Sequence, residues 1–77
     1  MKPIRTEYSN ATYVAEGCLD LPATILEDPE TGRKEVETCW ELSDEEIEQV
    51  VKSRKIYLYI EGRLVPPVLI TAETLRR

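Results

Sequence analysis

Two cysteines, ten acids between residues 27 and 48, and a tyrosine pair at 57 and 59 are the side chains of this 77-residue chain whose types and spacing bear on chemistry. There is no histidine. That removes the commonest general base and the commonest metal ligand together, and so excludes Ser-His-Asp and Cys-His catalysis. Cys18 and Cys39 supply half of a four-ligand zinc site and need outside help to complete one. Their separation of 21 residues suits a disulfide loop, whereas a cytosolic setting keeps both as thiols; two reduced, part-buried cysteines are the favoured reading. Cys18 sits beside Gly17 with no histidine and no nearby lysine to lower its pKa, so it is not read as a nucleophile. Paired carboxylates can hydrolyse glycosides when a cleft raises the pKa of one of them. Here the acids fall on an expected hairpin and helix start without a cleft. No catalytic residue is assigned, no enzyme activity is expected, and neither metal nor cofactor is called for.

The acids carry a second message. With 15 acidic and 10 basic residues the net charge is -5, and such a chain is repelled by phosphate backbones and anionic membranes. Direct nucleic-acid binding is therefore not expected. The charge is uneven: residues 27–48 hold ten acids against Arg33 and Lys34, a net of -8, which leaves +3 elsewhere. Two readings stay open for Glu27, Asp28, Glu30, Glu35 and Glu37. They form a solvated face, or they imitate a phosphate backbone toward a basic, nucleic-acid-binding protein, whose approach opposite charge would steer.

The positioning elements follow from local pattern. Pro22 to Glu27 reads as a strand, Asp28-Pro29-Glu30-Thr31-Gly32 as a turn, and Lys34 to Trp40 as the returning strand of a hairpin. In that strand Val36, Thr38 and Trp40 alternate with Glu35, Glu37 and Cys39, which suits a sheet with one wet face. Ser43 with Glu46 three residues on is a capping box, and Leu42 with Ile47 a hydrophobic staple, so a helix starts at Asp44 and runs to Arg54. Ile47, Val50 and Val51 give it one narrow apolar stripe, too short to stand alone in water. Ile56 to Ile60 reads as a further strand, with Ile56, Leu58 and Ile60 on one face and Tyr57 and Tyr59 on the other. Leu64 to Ile70 reads as a last strand, interrupted at Pro66-Pro67 and so confined to an edge.

The expected fold is α+β: a small antiparallel sheet of about four strands with the 44–54 helix across one face, in the order strand, strand, helix, strand, strand. One domain spans residues 1–77, with 1–16 a loosely held arm containing a short extended piece near Ala11 to Ala15, and 71–77 a frayed or short helical tail. The core is expected to join Ile47, Val50 and Val51 to Ile25, Val36, Trp40, Ile56, Leu58, Ile60 and Val68. Trp40 is read as packing under Leu42 and Ile47, with an exposed contact residue as its alternative. Tyr57 and Tyr59 are either covered by residues 4–14 or left as a binding or dimer surface, which tyrosine favours. No run of 18 apolar residues exists to span a membrane, and no secretory leader is read after Met1. A domain of this size buries only about 60% of its unfolded surface, so self-association would help it.

Gly17-Cys18, Leu21-Pro22, the run from Cys39 and Trp40 through Ser43 to Glu46, Lys55 to Ile60, Gly62 and Pro66-Pro67-Val68 together resemble a group of small uncharacterised proteins encoded by bacteriophages and prophages. The likeness covers about residues 17–71. Its distinctive parts are the Trp-x-Leu-Ser-x-Glu-Glu helix start and the Pro-Pro-Val ending. Tyr57 and Tyr59 are not a fixed pattern of the group. The resemblance implies a cytoplasmic, non-enzymatic accessory protein of the infected bacterium that binds and inhibits a host or defence complex, as anti-CRISPR proteins do. A structural or assembly component of the phage particle, self-associating through the tyrosine face, is the alternative. The candidate contact residues are Glu27, Asp28, Glu30, Glu35, Glu37, Tyr57 and Tyr59.

Overall fold

The computed structural model describes residues 1–63 and 66–74. Among the described residues five short strands precede one helix: β1 Lys2–Ile4, β2 Ala11–Tyr13, β3 Leu21–Glu27, β4 Lys34–Glu37, β5 Cys39–Glu41 and α1 Asp44–Ser53. The protein is a small α+β fold with two antiparallel sheets, one ordered β2-β3-β4 and the other β1-β5.

β3 is the centre. Its first half pairs with β2, from Ala11 opposite Ala23 to Tyr13 opposite Leu21, and its second half with β4, from Thr24 opposite Glu37 to Glu27 opposite Lys34. Pro22 has no N–H to give, and β4 ends before reaching it, so the missing donor costs that ladder nothing. Where β2 begins, Asn10 extends the pairing. Its backbone N–H donates to the Ala23 carbonyl at 2.9 Å. Its carboxamide accepts from the Ile25 N–H at 2.8 Å and donates to the Ile25 carbonyl at 3.3 Å. Side-chain amide thus replaces main-chain amide for one more step.

The hairpin turn is built from the chemistry its residues offer. The Asp28 N–H donates to the Arg33 carbonyl and the Gly32 N–H to the Asp28 carbonyl, both at 2.8 Å, while Asp28 Oδ1 accepts from the Glu30 N–H at 2.9 Å. Gly32 has φ 72°, a left-handed conformation that side chains disfavour. At the helix, Ser43 Oγ accepts from the Glu46 N–H and Glu46 Oε1 from the Ser43 N–H, a closed capping box. α1 stops at Arg54, whose φ of 58° turns the chain aside while its N–H donates to the Val50 carbonyl.

Several expectations are corrected. The 34–40 strand breaks at Thr38, and its second part, β5, leaves β4's partner to pair with β1 at the chain's start, Lys2 opposite Glu41. There is therefore no single four-stranded sheet, and the helix follows all five strands. Residues 2–4 of the supposedly loose arm form a strand, and the extended piece expected near Ala11 to Ala15 is β2. Ile56 to Ile60 and the described part of Leu64 to Ile70 form no strand, because no neighbouring strand bonds their peptide groups among the described residues. Leu64 and Val65 lie outside the described residues, as do residues 75–77, on which part of the expected tail falls. Residues 71–74 are not helical.

The core differs as well. Among the described residues only Ala23 and Thr24 are buried. Ile25, Val36, Trp40, Ile47, Val51, Ile56, Leu58, Ile60 and Val68 are all exposed, and Val50 is half-buried. In the 34–40 segment it is Glu37, Thr38 and Cys39 that are half-buried, while Val36 and Trp40 face out. The folded chain presents 7385 Å² to solvent, where a compact monomer of 8.9 kDa presents about 4,800 Å². Its radius of gyration is 14.1 Å, against about 11.5 Å for a compact domain of this length.

The Asn10 bridge yields a stability test. Asn10→Ala should lower the unfolding free energy by about 1 kcal/mol, since two hydrogen bonds to Ile25 are lost at a partly wet site. Urea unfolding followed by circular dichroism reads it, and an unchanged midpoint would show that water replaces the carboxamide without cost.

Candidate functional site

The acidic hairpin displays five acids against Arg33 and Lys34 on regular structure. β3 and β4 fix its legs and the Asp28–Gly32 turn its tip. Register divides the five acids among different aspects. Glu35 and Glu37 lie on the face of β4 shared with Thr24 and Leu26 of β3, whereas Glu27 lies on the other face, opposite Lys34. Glu30 is exposed at the tip, and the Asp28 side chain is half-buried because it caps the turn. Glu37 is half-buried and its carboxylate accepts from the Thr74 hydroxyl. Glu27, Glu30 and Glu35 are thus exposed but not gathered on one plane. Asp28 serves the turn that the sequence pattern announces, while the bond from Thr74 to Glu37 joins residues 37 apart and is not legible in that pattern.

Tyr57 and Tyr59 are 72% and 90% exposed. They belong to the irregular segment after α1 rather than to the wet side of a sheet. Residues 4–14 are occupied elsewhere: β1 and β2 bracket a turn in which the Ser9 N–H donates to the Thr6 carbonyl and Ser9 Oγ accepts from the Thr6 N–H. Trp40, expected in the core, is 46% exposed, with its indole Nε1–H donating to Thr38 Oγ1 at 2.9 Å. Of the two sequence readings of Trp40, packed under Leu42 and Ile47 or exposed, the structure has the exposed one.

One open dimple lies between the chain start and the helix start, lined by Met1, Lys2, Glu41, Leu42, Ser43 and Glu46. Part of its polar lining is committed: the Ser43 hydroxyl accepts from the Glu46 N–H, and the Glu46 carboxylate takes the Met1 ammonium on one oxygen and the Ser43 N–H on the other. Both cysteines are free thiols, Cys18 exposed and Cys39 half-buried in β5. Among the described residues no three acids or thiols converge as a ligand set for a metal ion, and no helix is long and apolar enough to cross a membrane.

The Met1 ammonium first, and then the Ser43 N–H, hold Glu46 below the usual glutamate range. A carboxylate whose folded pKa is depressed stabilises the fold fully above its unfolded value, and loses that contribution as pH falls through the folded one. Acid titration of the unfolding free energy should therefore show a limb below the usual glutamate pKa that Glu46→Gln flattens. Parallel acid limbs in the two proteins would remove Glu46 from the account.

Compared with known proteins, the chain matches no family model, no curated protein and no solved structure.

Proposed function

We propose that this protein works by binding another protein rather than by catalysis, with the exposed acids of the β3–β4 hairpin as the recognition surface for a basic partner. One observation carries the reading: Glu27, Glu30 and Glu35 stand exposed on a hairpin whose backbone is fixed by turn and ladder bonds. A preformed charged surface loses little conformational freedom on binding and raises the encounter rate with a protein of opposite sign. The resemblance to small phage-encoded proteins makes the partner a nucleic-acid-binding host or defence complex in the bacterial cytoplasm. On this reading the hairpin occupies the partner's phosphate-binding surface and so inhibits it. Glu37 and Asp28 hold the hairpin's shape, and Glu27, Glu30 and Glu35 meet the partner.

The tagged protein used as bait in bacterial cells, beside a Glu27→Lys/Glu30→Lys/Glu35→Lys variant, tests this. The expected result is a basic partner retained at low salt by the unaltered protein, released as salt rises toward about 1 M, where the Debye length falls to about 3 Å, and absent from the variant. A partner held equally by both proteins at every salt concentration would overturn the assignment to the acidic hairpin.

A further inference from the structure

We propose that two copies of this chain associate by exchange of strands, Ile56–Ile60 of each copy pairing along the free edge of β4 of the other. The inference does not rest on the foreign-partner reading above, but the two compete for one surface, since each occupies the acidic hairpin at Glu35.

β4 is an outer strand, and the hydrogen bonds around it show which of its peptide groups are open. The Asp28 N–H is bonded to the Arg33 carbonyl, and bonded pairs in an antiparallel ladder recur at every second residue, hence at Leu26 with Glu35 and Thr24 with Glu37. The Ile25 peptide groups agree, since both are turned the other way and bonded to Asn10. Lys34 and Val36 therefore direct their N–H and C=O groups away from β3, and among the described residues nothing on the main chain bonds them. An open edge of this kind is a template for another strand.

The same chain contains a segment of strand-like sequence that is in no ladder. Ile56 to Ile60 alternates in the β manner, yet none of its peptide groups makes a main-chain hydrogen bond among the described residues. Laid on β4, its apolar face of Ile56, Leu58 and Ile60 meets Val36 and Ile25, which are cross-strand neighbours at 53% and 42% exposure. Its tyrosines then fall beside Glu35, whose carboxylate can accept from a phenolic hydroxyl.

Area and charge identify the occupant as a second copy. The chain exposes 7385 Å², about 2,600 Å² more than a compact monomer of its mass. Covering half of that excess on each of two copies removes about 2,600 Å² in total, inside the range of about 2,000–5,000 Å² found for obligate homodimers. Residues 52–63 carry Lys52, Arg54, Lys55 and Arg63 against Glu61, while residues 27–37 carry five acids against Arg33 and Lys34. A two-fold axis sets each basic segment against the other copy's acidic hairpin, so both contacts form at once.

Light scattering and analytical ultracentrifugation from micromolar to millimolar protein should give twice the 8.9 kDa chain mass. Val36→Pro deletes an outward N–H without touching the β3 ladder, and Leu58→Lys charges the added strand's apolar face. Each should return the protein to a monomer with an unchanged β-sheet circular dichroism spectrum. In a Cys18→Ser/Cys39→Ser background, a chain carrying Val36→Cys mixed with one carrying Leu58→Cys should form an interchain disulfide. A monomer at every concentration, a larger open assembly, or a dimer that survives both Val36→Pro and Leu58→Lys would overturn the proposal. Because these two substitutions leave Glu27, Glu30 and Glu35 in place, salt-sensitive capture of a foreign partner is read separately.

Discussion

The peptide groups of β3 from Ala23 to Leu26 are what the rest of this structure is arranged around. On one side they are taken by β2 and by the Asn10 carboxamide, on the other by β4, and the only buried side chains among the described residues, Ala23 and Thr24, belong to this stretch. Neither side chain is large. A methyl group and a small hydroxyl residue remove little apolar area from water, so hydrophobic burial is a weak contributor here and backbone pairing a strong one. Order then depends on paired peptide groups and on local caps more than on a packed centre.

On the proposed reading the protein works through its exterior. Asp28 shapes the turn, Glu37 accepts from Thr74, Glu27, Glu30 and Glu35 stand in solvent, and in the dimple at the helix start Ser43 and Glu46 are held by the capping box and the Met1 ammonium. Glu46, held by the Met1 ammonium and the Ser43 N–H, is displaced toward its ionised form. Recognition needs only charge, shape and accessible apolar area, which the hairpin and the segment after α1 possess.

Legibility from sequence followed the range of the interaction. The capping box closes within four residues and the hairpin within a turn of known chemistry, so Ser43, Glu46, Asp28 and Gly32 were all readable in their roles. Ile56 to Ile60 has the composition of a strand, yet a strand exists only where another strand's groups meet it, and alternation cannot supply that partner. The break at Thr38 was hidden for the same reason. Nothing near residue 38 announces that Lys2 to Ile4 will compete for Cys39 to Glu41. The hairpin acids were found by type, but that Glu37 would accept from Thr74, 37 residues on, depends on a contact that side-chain counting does not carry.

The β1–β5 sheet also sets a clock on synthesis. β1 leaves the ribosome first, but its nearest paired residues, Ile4 and Cys39, are 35 positions apart. At about 5–20 residues per second that separation is a delay of roughly 2–7 s, whereas the β3–β4 hairpin can close in about 1–10 μs once both legs have emerged. β1 thus waits without its partner strand while the 35 residues from Ile4 to Cys39 are made, and the β3–β4 hairpin can close before it is seated.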